Sequence, residues 1–286
     1  MHQAQGHYYV PHSSSWPIVA SVSLFIFMIG FANKLNGGGS LLMIIGALGL
    51  IYMMYGWFGD VVKESEGRLY NADVDMSFRW GMGWFIFSEV MFFAAFFGAL
   101  FYARVYSVPW LGGESSQIFT NLLLWPGFDP AWPTNGPAQV GGEFETVGAW
   151  GLPAINTLIL LTSGVTVTWA HWGLLKENRK QLIMGLAATV ALGFIFVILQ
   201  AIEYSHAMHE FNLTLNSGIY GSTFYMLTGF HGLHVTIGAI VLLVVLLRSM
   251  KGHFTADNHF AFEAAAWYWH FVDVVWLGLF VFVYML

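Results

Sequence analysis

A single carboxyl group interrupts one of the longest apolar stretches of the sequence. Glu89 lies in the segment Trp84-Phe-Ile-Phe-Ser-Glu-Val-Met-Phe-Phe93, with apolar residues on both sides. A carboxyl group at membrane depth is costly, and burial favours its neutral form. We therefore expect Glu89 to be buried and largely protonated. A proton-handling role and a hydrogen bond between helices both fit this residue.

A second set of polar side chains lies towards the end of the sequence. His231 and His234 stand three residues apart, and Glu263 and His270 stand seven apart, so each pair shares one face of a helix. Imidazole and carboxylate groups bind transition metals, and a site of these four would resemble a di-iron bundle in ligand type. The Glu-x-x-His pairs of such bundles are missing, and aromatic residues crowd the last segment. Hydrogen bonds between helices are therefore favoured for these four residues and for Asp273, with metal ligation as the alternative.

Three histidines lie in the polar N-terminal segment: His2, His7 and His12. Histidine titrates near neutral pH, so a cluster of them could collect protons at a surface. A solvated, inert tail is the favoured interpretation, and proton collection is the alternative.

The composition requires that most of the surface faces lipid. Of the 286 residues, 57% are hydrophobic and only 9% are charged, whereas a soluble domain carries about 25% charged residues. The chain has no cysteine, which excludes disulfides, thiolate metal sites, iron–sulfur clusters and haem attached through cysteines. It has no basic run that would indicate nucleic-acid binding. These features indicate an all-α integral membrane protein.

Seven segments are apolar and long enough to predict helices that cross a bilayer, which needs roughly 20 residues. They run from about Trp16 to Phe31, Leu41 to Phe58, Phe78 to Tyr102, Leu152 to Leu174, Leu182 to Tyr204, Tyr220 to Leu247 and Phe260 to Leu286.

The distribution of basic residues supports seven spans. With the N-terminus inside, eight of the ten Lys and Arg residues fall on the inner side, and only Lys34 and Arg104 fall outside. That is the positive-inside pattern, and removing one helix would destroy it. The Pro- and Gly-rich segment from Val105 to Gly151 is then an irregular external loop. The polar segment from Gly59 to Ser77 separates a two-helix unit (16–58) from a five-helix unit (78–286).

Several long motifs resemble those of subunit III of haem-copper cytochrome c oxidases. The segments Gly221–Val235 and Phe262–Trp276 resemble the signatures of its sixth and seventh helices, and Phe87–Phe93 is similar to the segment that holds the family's buried glutamate. Thr166–His171 and Leu199–Tyr204 match as well. The resemblance covers nearly the whole chain in order.

The resemblance implies a specific architecture and setting. Seven helices are expected as a two-helix unit plus a five-helix unit, with a V-shaped cleft that holds phospholipid. This chain would carry no haem and no copper, and the resemblance disfavours a metal ion at His231 and His234. Haem and copper would lie in partner subunits I and II, which reduce oxygen and pump protons. Subunit III would stabilise the catalytic subunit and support proton uptake. His7 is similar in placement to a histidine of bacterial relatives, so it is the candidate that collects protons for this uptake. The length of the external loop points to a bacterial oxidase, hence to the bacterial inner membrane with the N-terminus cytoplasmic.

Phospholipid binding is expected on the inner side. Arginine and lysine suit phosphate, and aromatic rings can pack against acyl chains or glycerol. On the seven-span topology the cations lie at one membrane level, and Glu64 could accept from a headgroup. A role of the cations in topology alone is the alternative. The predicted lipid-binding residues are Trp57, Phe58, Lys63, Glu64, Arg248, Lys251 and His253.

Two other classes of function compete with the oxidase subunit. A self-contained metalloenzyme would use the histidines and glutamate described above, and metal in the isolated chain would favour it. A proton or solute transporter would use Glu89, Glu203 and Glu263. An inverted repeat or broken helices would favour a transporter, and the sequence shows neither.

Overall fold

Seven long helices dominate the computed structural model, which describes residues 8–11 and 13–286. All seven are long and apolar enough to cross a membrane, which confirms the predicted number of spans. In chain order they are α1 (Trp16–Leu35), α2 (Leu41–Glu66), α3 (Ala72–Tyr102), α4 (Leu152–Leu175), α5 (Arg179–His209), α6 (Gly218–Lys251) and α7 (Phe260–Leu279).

Local signals fix several helix ends. Proline stands in the first turn of α1 and of α4, where its missing N–H group costs no hydrogen bond. The Asn178 side chain caps α5 by accepting from the backbone N–H of Gln181. Helix α6 ends at Lys251 and is capped by Gly252, whose φ of 80° is the left-handed conformation that glycine adopts readily.

The helices extend further than the apolar stretches alone predicted. Helix α2 continues past Phe58 to Glu66, because polar residues at the end of a span remain helical while their side chains reach water. After α3 the chain stays helical through a wide π-type turn, Ala103–Ser107, and a short helical segment, Val108–Leu111. The predicted external loop therefore begins at Gly112 rather than at Val105. Wide turns also form at Thr120–Leu124 and Phe280–Met285.

The first compact unit covers the residues up to Trp80. Its main contact is the antiparallel packing of α1 against α2. A Cβ atom on Gly30 would overlap the backbone of Met43, and one on Gly46 would overlap the backbone of Phe27. Small residues therefore let the two helix backbones approach closely, as is typical of helix pairs in lipid.

The second compact unit covers Gly81–Leu286 and holds the main core. Trp269 is fully buried. Its indole ring packs so closely against Gly193 of α5 and Gly238 of α6 that a Cβ atom on either glycine would come within 3 Å of the ring. The Trp269 Nε1–H donates to Ser163 Oγ of α4 at 2.8 Å. One side chain of α7 thus joins three other helices. The other large, fully buried aromatic side chains are Trp276, Phe196, Phe224 and Phe262.

Candidate functional site

The Glu89 carboxyl group of α3 contacts a histidine of α6. His234 Nε2 lies 2.9 Å from Glu89 Oε2, although the two residues are 145 positions apart in the chain. The Glu89 side chain is 22% exposed and the His234 side chain is 13% exposed. Phe92, Phe93 and Tyr268 surround the imidazole ring. In the second unit, the predicted proton-related carboxyl therefore has a titratable partner and aromatic neighbours.

The hydrogen bonds of His234 define how protons are arranged in this pair. Its Nδ1 lies 2.6 Å from the backbone carbonyl of Phe230, which can only accept, so Nδ1 carries a hydrogen. The contact between Nε2 and Glu89 then holds one proton, shared between an acid and a neutral imidazole or present as a charged pair. Such a contact can hold a single proton on either of the two groups.

His231 serves the packing of the core. Its ring is fully buried, and its Nε2–H donates to the backbone carbonyl of Val272 on α7 at 3.2 Å. Phe196 and Trp276 flank the ring. His231 therefore faces α5 and α7 while His234 faces α3, so the two do not point at one common ligand.

His270 and Asp273 form another separate group on α7. His270 Nδ1 lies 3.5 Å from Asp273 Oδ2, and its Nε2 lies 3.2 Å from Thr168 Oγ1 on α4. A Cβ atom on Gly164 of α4 would overlap Asp273. The absence of a side chain at Gly164 therefore leaves the space that the Asp273 carboxyl group occupies. Glu263 lies elsewhere, near His171 and His259. The four residues of the alternative metal site are thus not brought together.

Glu203 is the most deeply buried of the three glutamates considered for transport. It is 2% exposed. Its Oε1 accepts from the Tyr284 hydroxyl at 2.6 Å and from Gln200 Nε2 at 3.1 Å. Glu89, Glu203 and Glu263 therefore have different partners, and nothing in the described residues of the second unit joins them in one chain of hydrogen bonds.

In the first unit, Glu64 accepts from two tyrosines. The Tyr70 hydroxyl donates to Oε2 at 2.7 Å, and the Tyr9 hydroxyl donates to Oε1 at 3.1 Å. Burial and the neighbouring carboxylate raise the pKa of Tyr70 well above its usual value, so the hydroxyl remains a donor. A carboxylate oxygen has room for a second donor, and the predicted headgroup contact of Glu64 remains compatible with this arrangement.

The other predicted lipid-binding residues of the first unit lie on its surface. Trp57 and Phe58 are about half exposed, and their rings stack at 5.4 Å. The Lys63 side chain is 79% exposed, with Nζ 3.4 Å from Asp60. Asp60 in turn accepts from the Trp16 indole at 2.8 Å. These side chains present aromatic and cationic groups together at one end of α2.

The remaining cationic residues lie at the end of α6. Arg248 and Lys251 occupy its last turn, and the backbone N–H of His253 donates to the Arg248 carbonyl at 3.2 Å. The Arg248 guanidinium lies 4.6 Å from the centroid of the Phe254 ring. The proton-collecting candidate His7 lies outside the described residues.

Comparison with known proteins identifies the family. A family model described as cytochrome c oxidase subunit III matches residues 6–286. The chain belongs to the cytochrome c oxidase subunit III family. Relatives named cytochrome c oxidase subunit 3 include those of Dugong dugon (42% identical, covering 97% of this chain and 96% of the relative) and Prototheca wickerhamii (43%, covering 95% and 94%). That of Carassius auratus is 42% identical and covers 99% of this chain and 98% of the relative.

Family membership confirms the resemblance seen in the motifs. The chain is a multi-pass membrane subunit of an oxidase complex, and such subunits generally carry no redox centre of their own. Sequence reasoning missed the Glu89–His234 contact, although both residues lie in motifs that carry the resemblance. No spacing rule links residues on two helices so far apart in the chain.

Proposed function

We propose that this chain is the non-catalytic subunit III of a respiratory haem-copper oxidase that reduces oxygen to water and pumps protons. It stabilises the catalytic subunit, supports proton uptake and binds phospholipid. Haem and copper lie in its partners, subunits I and II. The observation that carries the proposal is the family match across residues 6–286. In the first unit, only 11% of the most apolar segment of α1 and of α2 is buried. The rest forms a large apolar surface that lipid or a partner subunit can cover.

Purification of the native complex through a tag on this chain tests the proposal. We expect the purified material to show haem absorption bands and to reduce oxygen with an electron donor. After the subunits are separated in denaturant, this chain is expected to carry neither haem nor copper. A tagged chain that purifies from native membranes without any haem protein would contradict the proposed assembly.

Glu89 and His234 support the proposed role in proton uptake. They combine a carboxyl group and an imidazole with one proton between them, at membrane depth in the second unit. Partial exposure of Glu89 leaves it accessible to a hydrophobic reagent dissolved in the lipid, in contrast to the enclosed Glu203. Because the proposal places haem and copper in the partner subunits, the role of this pair is to hold protons and deliver them to a partner.

Substitution of Glu89 by glutamine tests this role. We expect a hydrophobic carbodiimide to label Glu89 in the native complex and to lose this label in Glu89→Gln. Initial oxygen reduction is expected to stay near the wild-type rate, because glutamine can still hydrogen-bond to His234, while the number of protons pumped per electron falls. Peptide mass spectrometry and proton-release measurements in vesicles provide the readouts.

Glu203→Gln is the matched control for labelling. Glu203 is 2% exposed and held by Tyr284 and Gln200, so the label at Glu89 should persist unchanged in this variant. Loss of all oxygen reduction in a fully assembled Glu89→Gln complex would contradict the auxiliary role.

The proposed phospholipid contacts rest on two surface groups. One is the exposed set of Trp57, Phe58 and Lys63 at the end of α2. The other is the cationic end of α6 with Arg248 and Lys251. Each group offers charge for a phosphate at the end of an apolar helix, which is where a phospholipid headgroup lies.

Removal of two cations at the end of α6 is expected to weaken lipid binding. Each cation near an anionic lipid surface contributes about 1 kcal/mol. Arg248→Ala combined with Lys251→Ala should therefore lower the phospholipid that copurifies and shorten the lifetime of the enzyme during turnover. Initial oxygen consumption should remain near normal. Native mass spectrometry of the complex measures lipid occupancy.

Lys176→Ala combined with Lys180→Ala is the matched control. It removes the same charge from exposed residues at the turn between α4 and α5, on the same predicted side of the membrane. If both double variants retain lipid equally, the end of α6 does not bind phospholipid.

We also propose the bacterial inner membrane as the location, with the N-terminus in the cytoplasm. The distribution of eight inner and two outer basic residues supports this orientation. The start of α2 and the end of α1 then lie outside, as do Gly112–Gly151.

A further inference from the structure

A cluster of two histidines and one glutamate lies where α4 ends and α7 begins, apart from the Glu89–His234 pair. His171 is in the last turns of α4, His259 directly precedes α7, and Glu263 is in the first turn of α7. One ligand atom from each of the three side chains lies within 4.8 Å of the other two. His259 and Glu263 are four residues apart, so they stand on one face of α7.

The hydrogen bonds of His259 leave its second ring nitrogen available. Its Nδ1 lies 3.1 Å from the backbone carbonyl of Thr255, so Nδ1 carries the hydrogen. In the neutral ring, Nε2 then carries a lone pair, and it lies 3.3 Å from Glu263 Oε1. Nε2 has no hydrogen-bond partner, although His259 is only 9% exposed. An imidazole nitrogen with a lone pair beside a carboxylate oxygen is a pair of donor atoms that suits a metal ion.

His171 approaches the same oxygen from the other helix. Its Nε2 lies 4.0 Å from Glu263 Oε1 and likewise has no hydrogen-bond partner. The ring is held against the His259 ring at 5.5 Å and against Phe262 at 5.2 Å. Three donor atoms therefore lie close to one another, and two neighbouring rings hold the His171 imidazole in place.

We propose that His171, His259 and Glu263 bind a divalent transition-metal ion of the zinc class. Two imidazole nitrogens and one carboxylate oxygen suit zinc, which takes such donors at about 2.0–2.1 Å, whereas calcium and magnesium prefer oxygen alone. A tetrahedral ion with these bond lengths separates its donors by about 3.3 Å. The distance from His259 Nε2 to Glu263 Oε1 already has this value, and His171 Nε2 lies 4.0 Å from the same oxygen. Water fills the fourth position.

The surroundings of the cluster fit a metal ligand rather than a chance contact. Ligating histidines commonly donate their other ring N–H group to a backbone carbonyl, which fixes the tautomer and the ring orientation. His259 makes this hydrogen bond with Thr255. An ion here would tie the end of α4 to the start of α7 in the second unit. The inference stands on these three side chains and is independent of the proposed role in oxygen reduction.

Zinc binding to the whole purified complex tests the proposal. The complex is treated with a chelator and then dialysed against radioactive Zn²⁺ over a range of concentrations. We expect the wild type to bind one more zinc ion per complex than a double variant, His171→Gln with His259→Gln. The single variant His259→Gln should bind this ion at least tenfold more weakly. The matched control, His206→Gln with His209→Gln, removes two exposed histidines near the end of α5 and should leave zinc binding unchanged.

A second measurement on the wild type keeps the proposal testable if a variant fails to assemble. Crystals of the zinc-treated complex are measured at the zinc absorption edge, where a peak between the three side chains would support the site. No peak there at saturating zinc would overturn it. Equal zinc content in the wild type and the His171/His259 double variant would also overturn it.

Discussion

Trp269→Ala is expected to destabilise the second unit by about 3–5 kcal/mol, the range for truncation of a large buried aromatic side chain. The indole ring is fully buried, and its neighbours Gly193 and Gly238 have no side chains that could move into the space. The truncation also leaves Ser163 without the N–H donor that it now accepts from. We therefore expect little of this subunit to be retained in the assembled complex. Quantification of the subunit after purification, with a thermal unfolding curve of the complex, measures the effect.

Two further variants separate the contribution of the buried ring from that of its hydrogen bond. Trp269→Phe keeps most of the ring and loses the hydrogen bond, so it should fall between wild type and alanine. Trp150→Ala removes the same side chain from a position that is 81% exposed, and it should leave subunit retention unchanged. Normal retention and normal thermal stability of Trp269→Ala would show that the packing of α7 against α4, α5 and α6 does not depend on this ring.

Gly46→Leu is expected to separate α1 from α2. A Cβ atom at this position would overlap the backbone nitrogen of Phe27. A backbone cannot rotate away as a side chain can, so the helices must move apart. Overpacking of this kind typically costs about 1–3 kcal/mol, and we expect the upper part of that range. The apolar environment offers no hydrophobic force that would restore the pair, because lipid solvates the helices equally well.

Disulfide trapping measures the separation without background, because the chain has no cysteine. A built Cβ atom on Gly49 lies 3.0 Å from the Cβ atom of Ser23, close to the ~3.5–4.5 Å span of a disulfide. Ser23→Cys with Gly49→Cys should therefore cross-link in the wild-type background and fail to do so with Gly46→Leu. Gly59→Leu is the matched control on α2, because a Cβ atom there meets nothing within 4 Å. Equal cross-linking in both leucine variants would contradict the close approach at Gly46.

The seven spans were predictable because they depend on local composition. A helix satisfies all backbone hydrogen bonds within one segment, and only a run of apolar residues can hold such a segment in lipid. Helix ends were less predictable. The polar residues from Gly59 to Glu66 interrupt the apolar run but continue α2, and Val105–Leu111 stays helical although Pro109 stands in it. Helix propensity and the neighbouring turns determine where these helices end, and hydropathy alone does not predict it.

The case of His231 and His234 shows where pattern reasoning reached its limit. Three residues along a helix leave two side chains only about 60° apart around its axis. That spacing made a shared ligand plausible. In the structure, the α7 carbonyl of Val272 draws one ring into the core, and Glu89 of α3 holds the other. Which neighbour stands beside each histidine depends on how the helices are rotated and packed.

The sequence by itself determined the class of protein, the number of spans and the family. Each of these follows from composition along the chain or from long contiguous motifs such as Phe262–Trp276. Only the tertiary structure decided which polar groups meet. Glu89 pairs with His234 across 145 residues, and His171 of α4 joins His259 and Glu263 at the start of α7. The physical reason is that any sufficiently apolar helix is stable in the bilayer, whichever helices surround it. The close packing of side chains between helices then sets the rotation of each helix about its axis.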